Sequence, residues 1–158
     1  MECEIINLQE RPERKQQFVE YAADCPGIGS FATLADWIRD DLLKDSESVL
    51  IAENNGKIIG FAALLDECVC LENDPGKPWI DFLFVNEECR NQHVGITLMD
   101  ALTRHAAELG FKEVFLVTQL HKDYYEKQGF SVTKETYDYN GGVNNTPMYV
   151  MVKTLAKR

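Results

Sequence analysis

Apolar positions along the chain form two kinds of pattern, helical repeats and continuous apolar runs. Over residues 94–109 they recur every three or four positions, which is the period of a helix that buries one face. The residues on that face are Val94, Leu98, Ala101, Leu102, His105 and Leu109. Residues 33–43 repeat in the same way, with Thr33 as the predicted N-terminal cap and Leu42 on the apolar side. Residues 79–85 are apolar at every position except Asp81, which is typical of a buried strand.

Turn-forming residues separate these segments and indicate where helices and strands end. Asn55-Gly56 lies between two apolar runs and predicts a hairpin turn, because this pair readily adopts left-handed backbone. Gly110 and Gly129 each follow a helical pattern and predict helix ends.

The complete pattern predicts a mixed α/β protein. The predicted elements are a strand at 4–8, helices at 13–23 and 33–43, strands at 48–53, 57–70 and 79–85, a helix at 94–109, a strand at 113–117, a helix at 120–128, and strands at 130–136 and 148–154. The order β-α-α-β-β-β-α-β-α-β-β favours a central sheet, partly parallel and partly antiparallel, flanked by helices. We expect a single domain across residues 1–158.

The net charge of the chain limits the classes of partner that we expect. Asp and Glu number 26 against 16 Lys and Arg, so the formal net charge is −10. Because phosphate backbones are bound by clustered basic residues, nucleic acid is not an expected partner. The apolar run 58–65 is too short to span a bilayer, and the acidic start Met1–Glu4 is unlike a signal peptide. We therefore expect a cytoplasmic protein with no membrane partner. Its acidic surface suits a cationic substrate, although solubility also explains it.

The cysteines and histidines do not predict a metal site. The five cysteines, at positions 3, 25, 68, 70 and 89, include no C-x-x-C pair. Zinc sites use such pairs with further ligands at matched spacing, and the three histidines do not supply them. Free thiols in a reducing compartment and no metal cofactor are the prediction.

Residues 82–96 carry the clearest candidate chemistry. A buried strand leads through a short polar loop into the first turn of the longest predicted helix. The N–H groups of that turn lack intrahelical partners, and with the helix dipole they form an anion site suited to phosphate. Arg90 precedes the turn and adds positive charge, while Gly95 permits close approach of a ligand.

Two motifs around this segment resemble those of a known enzyme family. The sequence R-x-x-H-x-G at residues 90–95 resembles the Gln/Arg-x-x-Gly-x-Gly/Ala signature of the GNAT acyltransferase superfamily. The sequence Y-E-K-Q-G-F at residues 125–130 is similar to the family's Tyr-Glu-Lys-x-Gly-Phe segment. The predicted order of elements also resembles the family fold. The resemblance covers nearly the whole chain and is strongest from Trp79 to Phe130.

The resemblance implies transfer of an acetyl group from acetyl-CoA to a primary amine of a small molecule or peptide. Tyr125 would lie near the CoA sulfur and act as the general acid for the leaving thiolate, and Asp81 is the second catalytic candidate. The residues implied in cofactor binding are Leu83, Phe84, Val85, Arg90, Asn91, Gln92, His93, Val94, Gly95, Ile96, Thr118 and Tyr125. The chemistry agrees, because attack on a thioester needs a neutral amine, donors for the carbonyl oxygen and stabilisation of the departing sulfur.

Three positions depart from the family pattern. His93 occupies the place of the first signature glycine and adds bulk where backbone usually meets phosphate. Thr118 stands where the family commonly has Asn. The acidic residue that many members carry in this strand falls at Trp79 by spacing, and Asp81 lies two residues further, on the same face by strand alternation.

Structural roles compete with these assignments. A carboxylate in an apolar strand more often makes a structural hydrogen bond, so that interpretation of Asp81 stays open beside the catalytic one. Tyr125 would also fit as a packing residue, with Tyr124 as the alternative in register. Residues 25–31 and 137–146 are expected to select the acceptor, and the acidic segment 66–74 to attract a cationic amine.

Other functions and assemblies remain open. A catalytically silent GNAT-like module that binds acyl-CoA or a protein partner is the main alternative, because of His93 and the missing strand glutamate. A flavodoxin-like protein is weakly supported, since no glycine-rich turn follows the first strand. The resemblance also suggests a homodimer paired through the final strands.

Overall fold

The computed structural model of the protein describes residues 2–26, 30–69, 71, 74–137 and 147–156. Its strands are β1 (Glu4–Asn7), β2 (Ser48–Asn54), β3 (Lys57–Leu65), β4 (Trp79–Val85), β5 (Glu113–Thr118), β6 (Ser131–Thr136) and β7 (Met148–Thr154). Its α-helices are α1 (Lys15–Asp24), α2 (Ser30–Arg39), α3 (Val94–Glu108) and α4 (Lys122–Glu126), and short 3-10 helices span Pro12–Arg14 and Glu87–Cys89. The predicted order of helices and strands is confirmed.

The strands form one mixed sheet. Their order is β1-β2-β3-β4-β5-β7-β6. β1 runs antiparallel to β2, and β7 runs antiparallel to both β5 and β6. β4 is parallel to β5, with Trp79 opposite Phe115. The combination of parallel and antiparallel pairs confirms the predicted α/β class.

By its internal packing the chain divides into two compact units. The first contains Met1–Ala63 and Phe82–Leu102, and the second contains Leu64–Asp81 and Thr103–Arg158. Each unit carries its own set of buried side chains and its own share of the candidate site residues. The two are described separately below, and the single-domain interpretation stays a prediction.

Aromatic rings dominate the core of the first unit. The rings in contact are Phe18, Tyr21, Phe31, Trp37, Phe61, Phe82 and Phe84. Their centroid distances lie between 5.2 and 6.5 Å, and most pairs meet edge to face. Each such pair adds about 0.5–1.5 kcal/mol beyond the burial of its apolar area. This cluster fixes α1 and α2 against strands β3 and β4.

Trp79 is the centre of packing in the second unit. It is 1 % exposed and packs with Leu71 and Val150. Its ring lies 5.2 Å from that of Phe115, and its Nε1 donates a hydrogen bond to the carbonyl of Gly76. The packing of Trp79 therefore fixes the start of β4, two residues before Asp81.

Three helices end in the same way. A residue two or three positions beyond the end of each helix has positive φ, at Asp41 (54°), Gly110 (95°) and Gly129 (94°). The next N–H then reaches back five residues, from Leu42 to Trp37, from Phe111 to Ala106 and from Phe130 to Tyr125. This is the Schellman arrangement, which satisfies carbonyls that the helix leaves unpaired. The ends predicted at Gly110 and Gly129 are confirmed.

The second helix differs from its prediction at both ends. It begins at Ser30, so Thr33 lies inside the helix and is not its cap. It stops at Arg39 because Asp41 adopts the left-handed conformation, which aspartate tolerates better than most residues. Leu42, predicted on the apolar face, lies beyond the helix and is 63 % exposed.

Other boundaries are shorter than predicted. β3 ends at Leu65 and does not continue to residue 70, because Asp66 and Glu67 follow the apolar run and carboxylates disfavour a buried strand. The third helix ends at Glu108, and Leu109, predicted on its buried face, is 44 % exposed. α4 covers only Lys122–Glu126 of the predicted 120–128.

The turn between β2 and β3 has the predicted hairpin conformation, because Asn55 and Gly56 both have positive φ. Within the described ranges, no helix combines the length and apolar character needed to cross a membrane. Cys70 and parts of the predicted acceptor segments, residues 27–29 and 138–146, lie outside the described residues.

Candidate active site

The middle of β4 contains a left-handed residue. Phe82 has φ 57° within the strand and is 6 % exposed. This conformation costs an L-residue with a Cβ about 1–2 kcal/mol, so the surroundings must hold it. The ring of Phe82 packs edge-on against Trp37 at 5.9 Å and lies 6.5 Å from Phe31. The aromatic cluster of the first unit thus stabilises a local distortion of the strand at the residue after Asp81.

Beyond Phe82 the strand leads into the loop that carries the predicted anion site. Phe84 is buried, whereas Leu83 and Val85 are half-buried. Arg90 Nε donates a hydrogen bond to the Val85 carbonyl at 2.9 Å, and the guanidinium carbon lies 5.7 Å from the Phe84 ring centre. Arg90 is therefore anchored through Nε and ring contact, and its remaining guanidinium N–H groups give it further capacity to bind an anion.

The loop turns twice through left-handed backbone before α3 begins. Asn91 has φ 61° and His93 has φ 67°. Gln92 Nε2 donates to the Glu88 carbonyl at 3.1 Å, which ties the loop to the preceding 3-10 helix. His93 thus adopts the conformation for which glycine is the usual residue, and Asn and His are among the side chains that tolerate it best. At this departure from the signature, the chain has left-handed backbone without a glycine.

The first turn of α3 presents backbone N–H groups of the kind that bind an anion. Thr97 N–H donates to the His93 carbonyl at 3.0 Å, which closes the first helical turn. The preceding N–H groups, of Val94, Gly95 and Ile96, belong to the turn that has no intrahelical acceptors. Together with the dipole of a 15-residue helix they favour a bound anion. The loop and turn therefore fit a phosphate group.

In the second unit, α4 positions Tyr125. The Tyr125 N–H donates to the His121 carbonyl, and the Tyr125 carbonyl accepts from the N–H groups of Gln128 and Phe130. Its ring packs edge-on against Tyr124 at 5.1 Å and Phe130 at 6.0 Å. The backbone of this short helix and the two neighbouring rings together fix the orientation of the Tyr125 side chain.

Burial shifts the pKa of Tyr125. The largest effect is desolvation, and the nearby Tyr124 and Asp81 add to it, so that the pKa of Tyr125 rises to about 12. The phenol is consequently neutral across the physiological range and can act as a hydrogen-bond donor. Asp81 is half-buried and near enough to influence that phenol, so the structure brings together the two residues predicted as catalytic.

Thr118 and Tyr124 have separate structural positions. Thr118 is 7 % exposed at the end of β5, and its Oγ1 accepts a hydrogen bond from the His121 N–H at 3.1 Å. Thr118 therefore helps to set the start of α4. Tyr124, the alternative to Tyr125 in register, is 38 % exposed.

These features agree with a match to a known family. Residues 10–130 match the family model of the acetyltransferase (GNAT) family, which is more than half of the chain. The chain belongs to the GNAT family.

Solved structures support the same assignment at the level of fold. An acetyltransferase of the GNAT family from Streptococcus pneumoniae superposes with a TM-score of 0.69 at 16% identity, covering 97% of this chain and 100% of that one. Aminoglycoside 6'-acetyltransferase type Ii gives 0.75 at 17% identity, covering 98% and 99%. An aminoglycoside 6'-N-acetyltransferase complexed with coenzyme A gives 0.70 at 17% identity, covering 98% of each chain. The likeness confirms the GNAT fold.

Sequence reasoning identified the two motifs of this GNAT protein but missed two features around them. The left-handed conformation of Phe82 has no signal in the sequence, since the residue looks like any other apolar strand position. Asn86 accepts a hydrogen bond from the Tyr21 hydroxyl at 2.5 Å, and the only hint was a polar residue directly after an apolar strand. Among the described residues, no three His, Cys, Asp or Glu side chains are grouped as metal ligands would be.

Proposed function

We propose that the chain is an N-acetyltransferase that moves an acetyl group from acetyl-CoA to a primary amine of a small molecule or peptide. The observation that carries the proposal is Tyr125, which lies on the second family motif with its pKa raised to about 12 and with Asp81 close by. GNAT membership supports acyl transfer, and a similar structure in complex with coenzyme A supports the use of an acyl-CoA.

The loop and first turn of α3 are proposed to bind the cofactor's pyrophosphate. Val94, Gly95 and Ile96 would contribute backbone N–H groups, and Arg90 would contribute charge. The remaining proposed contacts come from the backbone of residues 83–85 and from the loop residues Asn91, Gln92 and His93. This local positive site offsets the unfavourable net charge of −10 for an anionic cofactor.

Tyr125 is proposed to stabilise the departing sulfur. A free thiol has a pKa of about 8.5, which is lower than that of the buried phenol. Full proton transfer from Tyr125 to the thiolate is therefore uphill, whereas a hydrogen bond from the phenol strengthens as negative charge develops on sulfur. Asp81 is proposed to contact the amine or to accept its proton, with a structural hydrogen bond as the alternative.

The acceptor is proposed to be a small amine that carries positive charge. The acidic composition favours such a molecule by long-range attraction. Two similar structures are named aminoglycoside acetyltransferases, so an aminoglycoside belongs in any panel of acceptors beside polyamines, amino-acid amides and peptides.

A thiol-release assay with acetyl-CoA and this panel tests the proposal. We expect at least one amine to release CoA at a rate that depends on both substrates, with little release when the amine is omitted. Raising the salt concentration should slow the reaction of cationic acceptors, because screening weakens their attraction to an acidic protein. Insensitivity to salt would remove the argument for a cationic acceptor but not the argument for acetyl transfer.

The competing function is a catalytically silent module that binds acyl-CoA or a protein. It is motivated by the histidine at the signature glycine and by the missing strand glutamate, and the left-handed backbone of His93 weakens only the first of these arguments. Binding of acetyl-CoA without thiol release for any amine in the panel would favour the silent module.

A further inference from the structure

Tyr21, a residue of α1, contacts the first residue of the loop formed by residues 86–93. Tyr21 Oη donates a hydrogen bond to Asn86 Oδ1 at 2.5 Å, and the two residues are 65 positions apart in the sequence. The ring of Tyr21 lies edge-on to Phe61 at 6.0 Å and to Phe84 at 6.5 Å. Packing on the ring therefore places the hydroxyl, and the hydrogen bond to Asn86 is made by a donor that is already positioned.

Asn86 is the residue at which β4 becomes the loop. Its N–H donates to the Ile59 carbonyl at 2.8 Å, and its carbonyl accepts the Cys89 N–H at 2.9 Å. The neighbouring Val85 carbonyl is the acceptor for Arg90 Nε. Movement of Asn86 would consequently be passed to Arg90 and to the backbone that leads into α3.

The donor in this contact is a neutral phenol. Burial raises the pKa of Tyr21 well above its ordinary value, and the nearby Cys25 thiol adds to the effect. Burial also raises the pKa of Cys25, whose thiol lies within hydrogen-bonding reach of the Tyr21 hydroxyl. The contact thus persists over the whole pH range in which an acetyltransfer assay would be run.

We propose that Tyr21 is a positioning residue for cofactor binding, which acts through Asn86 to hold residues 86–93 in the conformation that receives the CoA pyrophosphate. The inference rests on the proposed function, because the loop has this ligand only if the chain binds acyl-CoA. Preorganisation of a loop increases affinity by removing the cost of ordering it on binding.

Calorimetric titration of CoA into wild type and Tyr21→Phe tests the inference. The substitution removes the hydroxyl and keeps the ring, and it leaves the Asn86 oxygen without that donor. We expect the Kd for CoA to rise about five- to tenfold, which corresponds to the loss of one such hydrogen bond. The kcat at saturating acetyl-CoA should stay within about twofold, and amide hydrogen exchange in residues 86–93 should be faster.

Two further variants separate positioning from general destabilisation. Phe18→Leu disturbs the packing of the same helix, since Phe18 is fully buried against Phe61, but it removes no atom of the Tyr21–Asn86 hydrogen bond. It should lower the melting temperature and leave the Kd for CoA unchanged. Asn86→Ala should weaken CoA binding as Tyr21→Phe does, and the double variant should add little, because both single changes remove the same contact.

Each outcome has a distinct meaning. Wild-type affinity in Tyr21→Phe, or an equal loss of affinity in Phe18→Leu, would overturn the positioning role while leaving the proposed function in place. Failure of the wild-type chain itself to bind CoA would overturn the proposed function, and the positioning role with it.

Discussion

Residues 86–97 and residues 118–130 hold the candidate chemistry of the two units, and they are built by different means. The first segment presents backbone N–H groups at a helix start, reached through left-handed Asn91 and His93, and Arg90 adds positive charge beside them. The second presents one side chain, Tyr125, whose pKa depends on its burial and neighbours. Backbone N–H donors survive replacement of the side chains beside them, whereas the hydroxyl of Tyr125 is lost with its side chain.

One departure from the family signature has a smaller structural consequence than the loss of a glycine suggests. His93 replaces a glycine, yet its φ of 67° is the conformation that glycine would supply. The strain is about 1–2 kcal/mol, and α3 still begins at the next residue, Val94. By contrast, a single altered atom at Tyr125 would remove the proposed hydrogen bond to the sulfur.

The largest effect is expected for Tyr125→Phe. Loss of the phenol should lower kcat about 100-fold or more, because removing one donor aimed at developing negative charge costs about 10²–10³-fold in rate. The Kd for acetyl-CoA should change less than threefold. Steady-state kinetics and calorimetry measure the two quantities.

Tyr124→Phe is the matched control for that change. Tyr124 is the adjacent tyrosine and is more exposed, so the kcat of Tyr124→Phe should stay within about threefold of the wild-type value. A large loss of kcat in Tyr124→Phe with none in Tyr125→Phe would assign the hydrogen bond to the sulfur to Tyr124. A large loss of cofactor affinity in Tyr125→Phe would make Tyr125 a binding residue.

Arg90→Ala should have the opposite signature. Removing the anchored guanidinium should raise the Kd for CoA about tenfold, as expected for one charge-assisted contact to phosphate. The kcat at saturating acetyl-CoA should be nearly unchanged. Arg104→Ala removes the same charge from an exposed position further along α3, so it should bind CoA as wild type does. Equal weakening by both variants would show that Arg90 acts only through net charge.

Substitutions of His93 test whether this position has left-handed backbone. His93→Gly should be more stable than His93→Val by about 1–2 kcal/mol, because a β-branched residue is disfavoured at positive φ and glycine is not. His93→Gly should also bind CoA at least as tightly as wild type. Urea denaturation and calorimetry provide the measurements. Equal stability of the two variants would contradict the left-handed conformation of this residue.

The pH dependence of Tyr125 gives the smallest effect on activity. Its pKa is about 12 in the folded protein against an ordinary value of 10.0. Folding therefore favours the neutral phenol, and this contribution to stability is complete below about pH 10 and lost between about pH 10 and 12. The activity should show no decline from phenol ionisation between pH 8 and 10.

Tyrosinate absorbance identifies the group directly. A difference titration of wild type against Tyr125→Phe should reveal one tyrosine that ionises near pH 12. Ionisation of that tyrosine near pH 10 would show that it is solvated, and the argument from burial would then be wrong.

The sequence predicted local conformation best where a residue type has one strong preference. Asn55-Gly56, Gly110 and Gly129 all adopt the left-handed backbone expected of them. Asp41 also does so and ends α2 early, but aspartate has weaker preferences and gave no signal. The order of helices and strands was also predictable, because the apolar segments were long and the turns between them were clear.

The parts of the candidate site that depend on distant residues could not be predicted in this way. Phe82 is left-handed because packing with Trp37 and Phe31 holds it there, and its own sequence neighbourhood resembles an ordinary strand. The contact of Tyr21 with Asn86 joins positions 65 residues apart. The motif at residues 90–95 indicated where an anion could bind, but not how Arg90 is anchored to the end of β4.

Calorimetric titration of CoA into the wild-type chain tests the central claim most directly. The account predicts one binding site for each chain, with a Kd of roughly 1–100 µM. It also predicts that binding weakens as the ionic strength rises, because part of the affinity is electrostatic attraction to phosphate. Absence of binding at a CoA concentration of about 1 mM would contradict the account, whatever the activity of the chain toward amines.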